Sequence, residues 1–330
     1  MSQAVDMVEI WRGDLLESLH QGQAVVVDDT GQVAEAWGDA NALIYPRSSC
    51  KMVQALPLIE SGAAEALGLT DAHLALACAS HNAADVHLNA VGAWMSDLGL
   101  HDSDFRCGPQ KSRDPQVRTR MTVAGEAPCQ IHNNCSGKHA GFLTVSKHLG
   151  GDAEYLEIDH PVQRAVKQAF EEVTGEDSPL WAIDGCSAPN HACTVTGLAR
   201  AMARFATASE TDARGSAMVR LRTAMMTHPV LVAGEGRACT GLMRACEGRA
   251  AIKTGAEGVF IAILPEKRMG VALKIADGTT RASECAMAAL LVRLGVVDAR
   301  HPLVAPYFNP DITNWRGLVT GHMRPAATLA

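Results

Sequence analysis

The chain has 330 residues, 47% of them hydrophobic, so it can bury a large core as one large domain or as two lobes. Its formal net charge is −7, and its 29 lysines and arginines form no long run that would follow a phosphate backbone, which argues against a nucleic-acid partner. No apolar run approaches the roughly 18 residues of a membrane span, and Asp6 and Glu9 stand where a secretory signal needs a basic start. We therefore expect a cytoplasmic protein without a membrane partner.

Extended segments are predicted near the N-terminus, over residues 5–13 and 23–39, with Thr30 and Gly31 supplying a turn inside the second stretch. They would form a small antiparallel meander. The middle of the chain shows mainly helical periodicity, and several of its predicted helices end at glycine, as helices often do. These helices are predicted over residues 51–68, 83–99, 139–150, 160–175, 198–208 and 216–228.

Residues 249–278 are again extended: two apolar runs flank a Pro-Glu-Lys-Arg turn and end at an Asp-Gly pair, which predicts a hairpin. A helical pattern follows over 283–295, and the tail from 301 to 330 is irregular by pattern. Two β-rich ends around a helical middle predict an α/β protein. Its antiparallel sheet lobe would comprise approximately residues 1–46 and 237–330, with a helical lobe of approximately 47–236 inserted between them. Small-molecule sites usually lie in clefts between such lobes.

The ten cysteines are scattered and include no Cys-x-x-Cys pair, which fits a reducing compartment better than a disulfide framework. Free cysteine is usually a small buried apolar residue. We interpret eight of them in this way: Cys50, Cys78, Cys107, Cys129, Cys193, Cys239, Cys246 and Cys285.

Three short motifs occur in chain order: Ser48-Ser49-Cys50-Lys51 (S-x-x-K), Ser80-His81-Asn82 (S-x-N) and Lys253-Thr254-Gly255 (K-T-G). Penicillin-recognising serine enzymes use the same order, with S-x-x-K opening a helix and K-T-G on a strand. The predicted contexts agree here, because residue 51 begins a helical pattern and Lys253 begins a strand at the edge of the sheet lobe.

The chemistry needs such a group because a serine hydroxyl is a poor nucleophile until a neighbouring base takes its proton. Lysine can act as that base only when neutral, and a second nearby cation favours the neutral amine. Lys51 and Lys253 could meet this need together. Each motif taken singly has another explanation, since Ser80 could cap a helix and Lys253 could be a solvated charge at a strand end.

A second group of residues suggests a metal. Cys135 and Lys138 lie one turn apart at the start of a predicted helix, and Cys186 follows the apolar run Trp181-Ala182-Ile183. Two thiolates with one further donor suit Zn²⁺, although lysine is a rare ligand because it must first lose its proton. Spacing alone favours two core cysteines and a surface lysine over a metal site.

Longer segments make the sequence recognisable. The segments are PRSSCK, CASHN, IHNNCSGKHAG, YLEIDHPVQ, IDGCSAPN, HPVLVAGEGR, IKTGAEGV, IADG and the late Asn314-Trp315-Arg316-Gly317. Over nearly its whole length the chain resembles the bacterial asparaginase II family, the Rhizobium etli type of L-asparaginase. The resemblance implies a serine β-lactamase-like fold, a homodimer, and hydrolysis of L-asparagine to L-aspartate and ammonia with little glutaminase activity.

The resemblance also implies roles for individual residues. It places zinc on Cys135, Lys138 and Cys186, and it pairs Ser48 with Lys51 and Ser80 with Lys253. We interpret Ser48 as the nucleophile and Lys51 as its base, with Ser80 and Lys253 relaying a proton to the leaving ammonia.

Three further side chains are candidates for substrate binding. His139 and Asp184 flank the implied metal ligands and could bind the substrate's α-amino group or support those ligands. Arg47 could bind the α-carboxylate in two-point geometry, or could equally be a structural ion-pair partner.

Two alternatives stay open. The first is another S-x-x-K amidohydrolase, above all a serine-dependent glutaminase, because one extra methylene in a substrate changes discrimination by only about 1 to 3 kcal/mol. The second is a zinc-stabilised binding protein with an inactive hydrolase fold, which the presence of every proposed catalytic side chain disfavours.

Overall fold

The computed structural model describes residues 3–329. The chain divides into two compact units. We call residues 3–49, 192–207 and 241–329 the sheet unit, and residues 50–191 and 208–240 the helical unit. The sheet unit includes residues 192–207, which the sequence-based boundaries assign to the helical lobe. The physical reason is that the helix in this segment packs against strands of the sheet.

Twelve strands are present in the described residues: β1 Val5–Arg12, β2 Leu15–Val27, β3 Val33–Trp37, β4 Leu43–Ile44, β5 Trp181–Ile183, β6 Pro189–His191, β7 Cys193–Thr194, β8 Ala251–Thr254, β9 Val259–Leu264, β10 Met269–Ile275, β11 Asp311–Thr313 and β12 Val319–Pro325. Eight of them form one antiparallel sheet in the order β11-β12-β1-β2-β10-β9-β8, with β3 also paired to β2. The two remaining pairs are β4 with β7 and β5 with β6.

The large sheet joins the two ends of the chain. β1 pairs with β12 in a register that sets Ile10 opposite Met323, and β2 pairs with β10 so that Val25 faces Ala272. The predicted α/β class, with an antiparallel sheet built from both chain ends and helices between, is therefore confirmed.

Fourteen α-helices are present in the same residues: α1 Lys51–Gln54, α2 Leu56–Glu60, α3 Ala63–Ala66, α4 Asp71–Ala77, α5 Asp85–Asp97, α6 Pro115–Ala124, α7 Ser136–Leu149, α8 Pro161–Thr174, α9 Val195–Thr207, α10 Ala213–Thr227, α11 Pro229–Ala233, α12 Ala238–Ala245, α13 Thr280–Arg293 and α14 Ala305–Phe308. None of them combines the length and apolar character that a bilayer crossing requires.

The core of the sheet unit lies where α9 and α13 cover the sheet. Both helices pack against β9 and β10, and every residue of β9 is buried, as expected for a strand covered on both faces. The backbone of α9 comes so close to β10 that a side chain on Gly270 would collide with it at Ala203. Glycine therefore permits this packing.

The helical unit is built around α4 and α7. α4 packs against α7, α10 and α11, while α7 also packs against α2, α5 and α8. Gly137 in the first turn of α7 has no side chain at the point where the Leu76 carbonyl of α4 approaches it. This close approach sets the position of the first turn of α7, which carries Lys138.

Two sequence-based expectations are wrong in detail. The helix predicted over 51–68 is three short helices, because Pro57 begins a new helix and Gly62 takes a left-handed φ of 81°. The tail expected to be irregular contains α14, β11 and β12, and β12 is an inner strand of the sheet. The tail is ordered because β12 pairs with β1 from the other end of the chain, and a local sequence pattern does not reveal such long-range pairing.

Candidate active site and metal site

The S-x-x-K motif lies on a 3-10 helix, Arg47–Cys50, that leads directly into α1. Its two serines differ in environment. Ser49 is buried, and its Oγ donates a hydrogen bond of 2.7 Å to the carbonyl of Pro46. Ser48 is only half-buried. The structure therefore gives Ser49 a role in closing the turn and leaves Ser48 as the more accessible hydroxyl.

The K-T-G motif lies at the end of β8, an edge strand of the large sheet. Lys253 is fully buried, and its Nζ donates to the carbonyl of Thr254 at 2.7 Å. Two residues on, a Cβ on Gly255 would lie 2.6 Å from the Pro46 oxygen and 3.1 Å from the Ser49 nitrogen. Within the sheet unit, the K-T-G segment and the turn that carries Ser48 are thus direct neighbours.

In the helical unit, Lys51 is fully buried at the start of α1. Its Nζ donates to the carbonyl of Ala79, to Ser80 Oγ at 3.0 Å and to Cys135 Sγ at 3.1 Å. A buried amine needs such partners, because the loss of hydration is otherwise costly. Lys51 therefore connects the S-x-N loop with the first turn of α7.

The S-x-N loop is held by backbone and side-chain hydrogen bonds. The Ser80 amide donates to the Val232 carbonyl at 2.9 Å, and the His81 amide donates to the Asn134 carbonyl at 3.1 Å. The His81 ring lies 3.0 Å from Ser136 through Nε2 and Oγ. These contacts fix the position of Ser80 relative to α7.

Cys135, Lys138 and Cys186 form a buried group in the helical unit. Cys135 is the residue before α7, and Lys138 Nζ donates to Cys186 Sγ at 3.0 Å. A hydrogen bond from Cys135, together with the charge of Lys138, holds the pKa of Cys186 well below its usual value against the effect of burial. The hydrogen bond to Cys186 and burial raise the pKa of Cys135. The two pKa values are therefore shifted in opposite directions, which makes Cys186 the more acidic thiol of the pair.

Lys138 is the basic side chain beside these two sulfurs. Burial lowers its pKa, but the neighbouring sulfurs of Cys186 and Cys135 raise it more, so the net shift is upward. The amine therefore carries its proton while no metal is bound, and a metal ion would have to displace that proton.

This donor set fits Zn²⁺. Over residues 3–329, no three side chains drawn from His, Cys, Asp and Glu gather in a way that would hold a metal ion, so a site here requires the lysine. Cys135, Lys138 and Cys186 supply two sulfurs and one nitrogen that converge on one another, and the pKa of one of the sulfurs, that of Cys186, is lowered. Zn²⁺ accepts sulfur and nitrogen ligands in tetrahedral geometry.

The three predicted substrate-binding residues have different surroundings. His139 is fully buried, its Nδ1 lies 2.9 Å from the hydroxyl of Tyr155, and burial lowers its pKa to about 4. The Asp184 side chain accepts a hydrogen bond from the Gly185 amide at 2.7 Å, and the Asp184 carbonyl accepts one from the Ser187 amide at 2.8 Å, which closes the turn that carries Cys186. Arg47 is half-buried and belongs to the sheet unit.

Backbone strain adjoins the three serine and lysine motifs and the turn that carries Cys186. Over residues 3–329, six non-glycine residues have a left-handed φ, and four of them adjoin the motifs. These are Arg47 (φ 54°) before Ser48, Ala83 (φ 57°) after Asn82, Ser187 (φ 68°) after Cys186, and Glu257 (φ 58°) after the K-T-G segment. Such conformations cost about 1 to 3 kcal/mol each and cluster at functional sites. The strain is a signal for a site that is independent of residue type.

Sequence reasoning missed two features of the site. Tyr155, whose hydroxyl contacts His139, lies in a loop with no periodic pattern, and only its presence in the YLEIDHPVQ segment pointed to it. The contact between Lys51 and Cys135 was also missed, because it joins two motifs that sequence treats separately.

A comparison with protein-family models identifies the family of this chain. The chain belongs to the L-asparaginase II family, whose model matches residues 8–325, nearly the whole sequence. It is therefore an amidohydrolase, and the predicted family is confirmed. A comparison with curated protein sequences gives no significant match.

Several solved structures are similar in general architecture. A β-lactamase from Mycobacterium bovis shares 14% identity at a TM-score of 0.47, over 82% of this chain and 94% of its own. Mglu in its native form shares 15% identity at a TM-score of 0.44, over 85% of this chain and 66% of its own. An octameric penicillin-binding protein homologue from Pyrococcus abyssi shares 13% identity at a TM-score of 0.39, over 84% of this chain and 74% of its own. These scores are low, and the assignment of the chain rests on the family match.

Proposed function

We propose that this amidohydrolase converts L-asparagine to L-aspartate and ammonia through a covalent intermediate on serine. The observation that carries the mechanism is the buried Lys51, whose Nζ lies 3.0 Å from Ser80 Oγ and which stands three residues after Ser48. In an asparaginase family member, a buried amine beside a serine hydroxyl is suited to moving a proton to and from that hydroxyl.

The proposed reaction begins with Ser48. Lys51 in its neutral form takes the Oγ proton while Oγ bonds to the side-chain amide carbon of asparagine. The carbon–nitrogen bond then breaks, and ammonia leaves with a proton relayed through Ser80 and Lys253. Water attacks the resulting ester, releases L-aspartate and restores the Ser48 hydroxyl. Four proposed catalytic side chains therefore act as two serine and lysine pairs.

The remaining residues are proposed to position the substrate. Cys135, Lys138 and Cys186 would hold Zn²⁺, which when bound supplies a Lewis-acid position for a polar group of the substrate. Asp184 is suited to the α-amino group by charge, and Arg47 is suited to the α-carboxylate by its two-point geometry. The homodimer and the cytoplasmic location also stay predictions that rest on the family resemblance and on composition.

The test compares two adjacent serines. We expect Ser48→Ala to lose asparagine turnover by on the order of 10³-fold or more, because the nucleophile is removed. Ser49→Ala is the matched control: it loses the hydrogen bond to Pro46, worth about 1 kcal/mol of stability, and should retain turnover. Ammonia release is measured from asparagine and glutamine side by side. Equal loss in both variants would contradict the assignment of Ser48, and preference for glutamine would make the protein a glutaminase.

A further inference from the structure

The hydroxyl of Tyr155 lies between a backbone amide and a histidine. Tyr155 is fully buried, and its carbonyl accepts a hydrogen bond from Gln163 Nε2 at 2.8 Å. The Arg106 amide donates to Tyr155 Oη at 2.8 Å, and Oη is 2.9 Å from His139 Nδ1. Both ends of the tyrosine are therefore held in place in the helical unit.

These contacts decide where the protons lie. A backbone N–H can only donate, so the Arg106 amide uses one lone pair of Tyr155 Oη. If His139 Nδ1 also donated, the phenol proton would be buried without an acceptor, which costs about 1 to 3 kcal/mol. If Tyr155 donates to Nδ1 instead, every group at this oxygen is satisfied. The neutral imidazole of His139 then carries its hydrogen on Nε2.

The other side of the ring leads to the same tautomer. Nε2 is buried and forms no regular hydrogen bond within the described part of the chain. Cys186 interacts with the His139 ring. A hydrogen on Nε2 is attracted to the lone pairs of the sulfur, whereas a bare nitrogen lone pair would be repelled by them.

We propose that Tyr155 is a positioning residue that holds His139 with its hydrogen on Nε2 and directs this N–H to Cys186. The link to the metal rests on the proposed zinc site. His139 then supports a zinc ligand without joining the donor set, because over residues 3–329 no group of His, Cys, Asp and Glu side chains gathers to hold a metal ion. The site keeps three protein donors, as in catalytic zinc sites that leave one position open.

The test of the proton positions uses metal-free protein labelled with nitrogen-15 at histidine, with His139 assigned from the signals that disappear in His139→Gln. We expect a protonated Nε2, an unprotonated Nδ1, and a slowly exchanging Tyr155 hydroxyl proton coupled to Nδ1. This hydroxyl signal should vanish in Tyr155→Phe and persist in Tyr307→Phe, which makes the same chemical change in the sheet unit. A proton bonded to Nδ1 in the unmodified protein would overturn the proposal.

The metal arm uses zinc alone. When zinc is added to the unmodified protein, the Nε2–H signal should remain, and its replacement by a zinc-bound nitrogen would overturn the role of His139 as a support outside the donor set. Chelator competition should show zinc bound about 10- to 100-fold more weakly by Tyr155→Phe, with Tyr307→Phe unchanged. Unchanged affinity in Tyr155→Phe would contradict a supporting role. If the unmodified protein binds no zinc, the proposed metal site fails, while the proton measurement still decides the tautomer.

Discussion

At the scale of single residues, Lys51 is the side chain that joins the two proposed chemistries. Its Nζ contacts Ser80 of the S-x-N motif and Cys135 of the proposed zinc site. A change at Cys135 therefore alters the surroundings of a proposed catalytic base as well as the metal. Cys186 contacts Lys138 and is the cleaner position at which to test metal binding.

We expect Cys186→Ala to lose bound zinc, from about one ion per chain to near zero, because one of the two sulfur ligands of the proposed site is removed. Cys246→Ala is the matched control: this cysteine is also buried, but it belongs to the sheet unit and burial raises its pKa to about 12. Zinc is measured by elemental analysis after dialysis. Equal zinc content in the two variants would show that Cys186 does not hold the metal.

Two stacked histidines give the fold a predicted acid sensitivity. The rings of His81 and His87 lie 4.8 Å apart, and His87 Nε2 donates to the Val230 carbonyl at 2.8 Å. Burial lowers the pKa of both rings. At His81 the charges of His87 and Lys51 lower the pKa further. At His87 the hydrogen bond to Val230 and the charge of Asp114 oppose the effect of burial. Both rings are therefore neutral in the folded protein.

Because the unfolded chain binds these protons near its ordinary histidine pKa of about 6.5, the free energy of unfolding should fall as the pH drops below that value. The slope is at most about 1.4 kcal/mol per pH unit for each histidine. His87→Gln keeps a donor for Val230 and should flatten the slope measured by urea unfolding. His148→Gln is the control, since this exposed ring contacts the Ser61 carbonyl at 2.9 Å. Parallel pH profiles for the parent protein and His87→Gln would contradict the prediction.

At the scale of elements, the contact between α4 and α7 places the proposed metal site. Gly137 lies against the Leu76 carbonyl, whereas a Cβ on Gly141, one turn later in the same helix, would meet only side chains at 3.5 to 3.8 Å. The first position has no room for a methyl group, and the second does. The two glycines therefore separate the effect of close packing from the effect of helix propensity.

We expect Gly137→Ala to reduce the free energy of unfolding by about 1 to 3 kcal/mol and to weaken zinc binding, because α7 must move away from α4. Gly141→Ala should be neutral, or should stabilise the helix by up to about 1 kcal/mol. Urea unfolding and zinc content report the two effects. Similar behaviour of both variants would show that the α4 contact does not control the site.

Sequence patterns predicted helices and strands best where a single segment shows several turns of hydrophobic periodicity. The helices at α5, α8, α9 and α10 were predicted within a few residues of their observed bounds, as were β1 and the extended segments over 249–278, whereas the first eight residues of β2 were missed. Short helices such as α4 and α11 were missed, because one or two turns carry too little periodic signal. The contacts of Tyr155 could not be predicted, since they depend on how a loop and α7 meet in three dimensions.

At the scale of the whole molecule, the sheet unit depends on pairing between distant parts of the chain. Met323 of β12 is buried and faces Ile10 of β1, which is also buried. α13 packs against both of these strands and covers them. α13 therefore gains its full packing surface only when β12 is in place beside β1.

We expect Met323→Ala to lower the free energy of unfolding by about 2 to 5 kcal/mol, because it leaves a cavity beneath the joined strands. Val319→Ala is the control on the same strand: this side chain is 61% exposed, so its truncation should cost less than about 0.5 kcal/mol. The urea midpoint measures both effects. Comparable shifts in the two variants would mean that β12 does not help to close the core.

The pairing of β1 with β12 has a consequence for biosynthesis. At about 5 to 20 residues per second, a ribosome needs on the order of 15 to 60 s to travel from Ile10 to Met323. During that time β1 can pair with β2, but its outer edge stays open and presents an apolar strand to other nascent chains. Residues 50–191 of the helical unit are synthesised within the same interval. The yield of folded protein should therefore depend on chaperones that shield this edge, even where the finished molecule is stable.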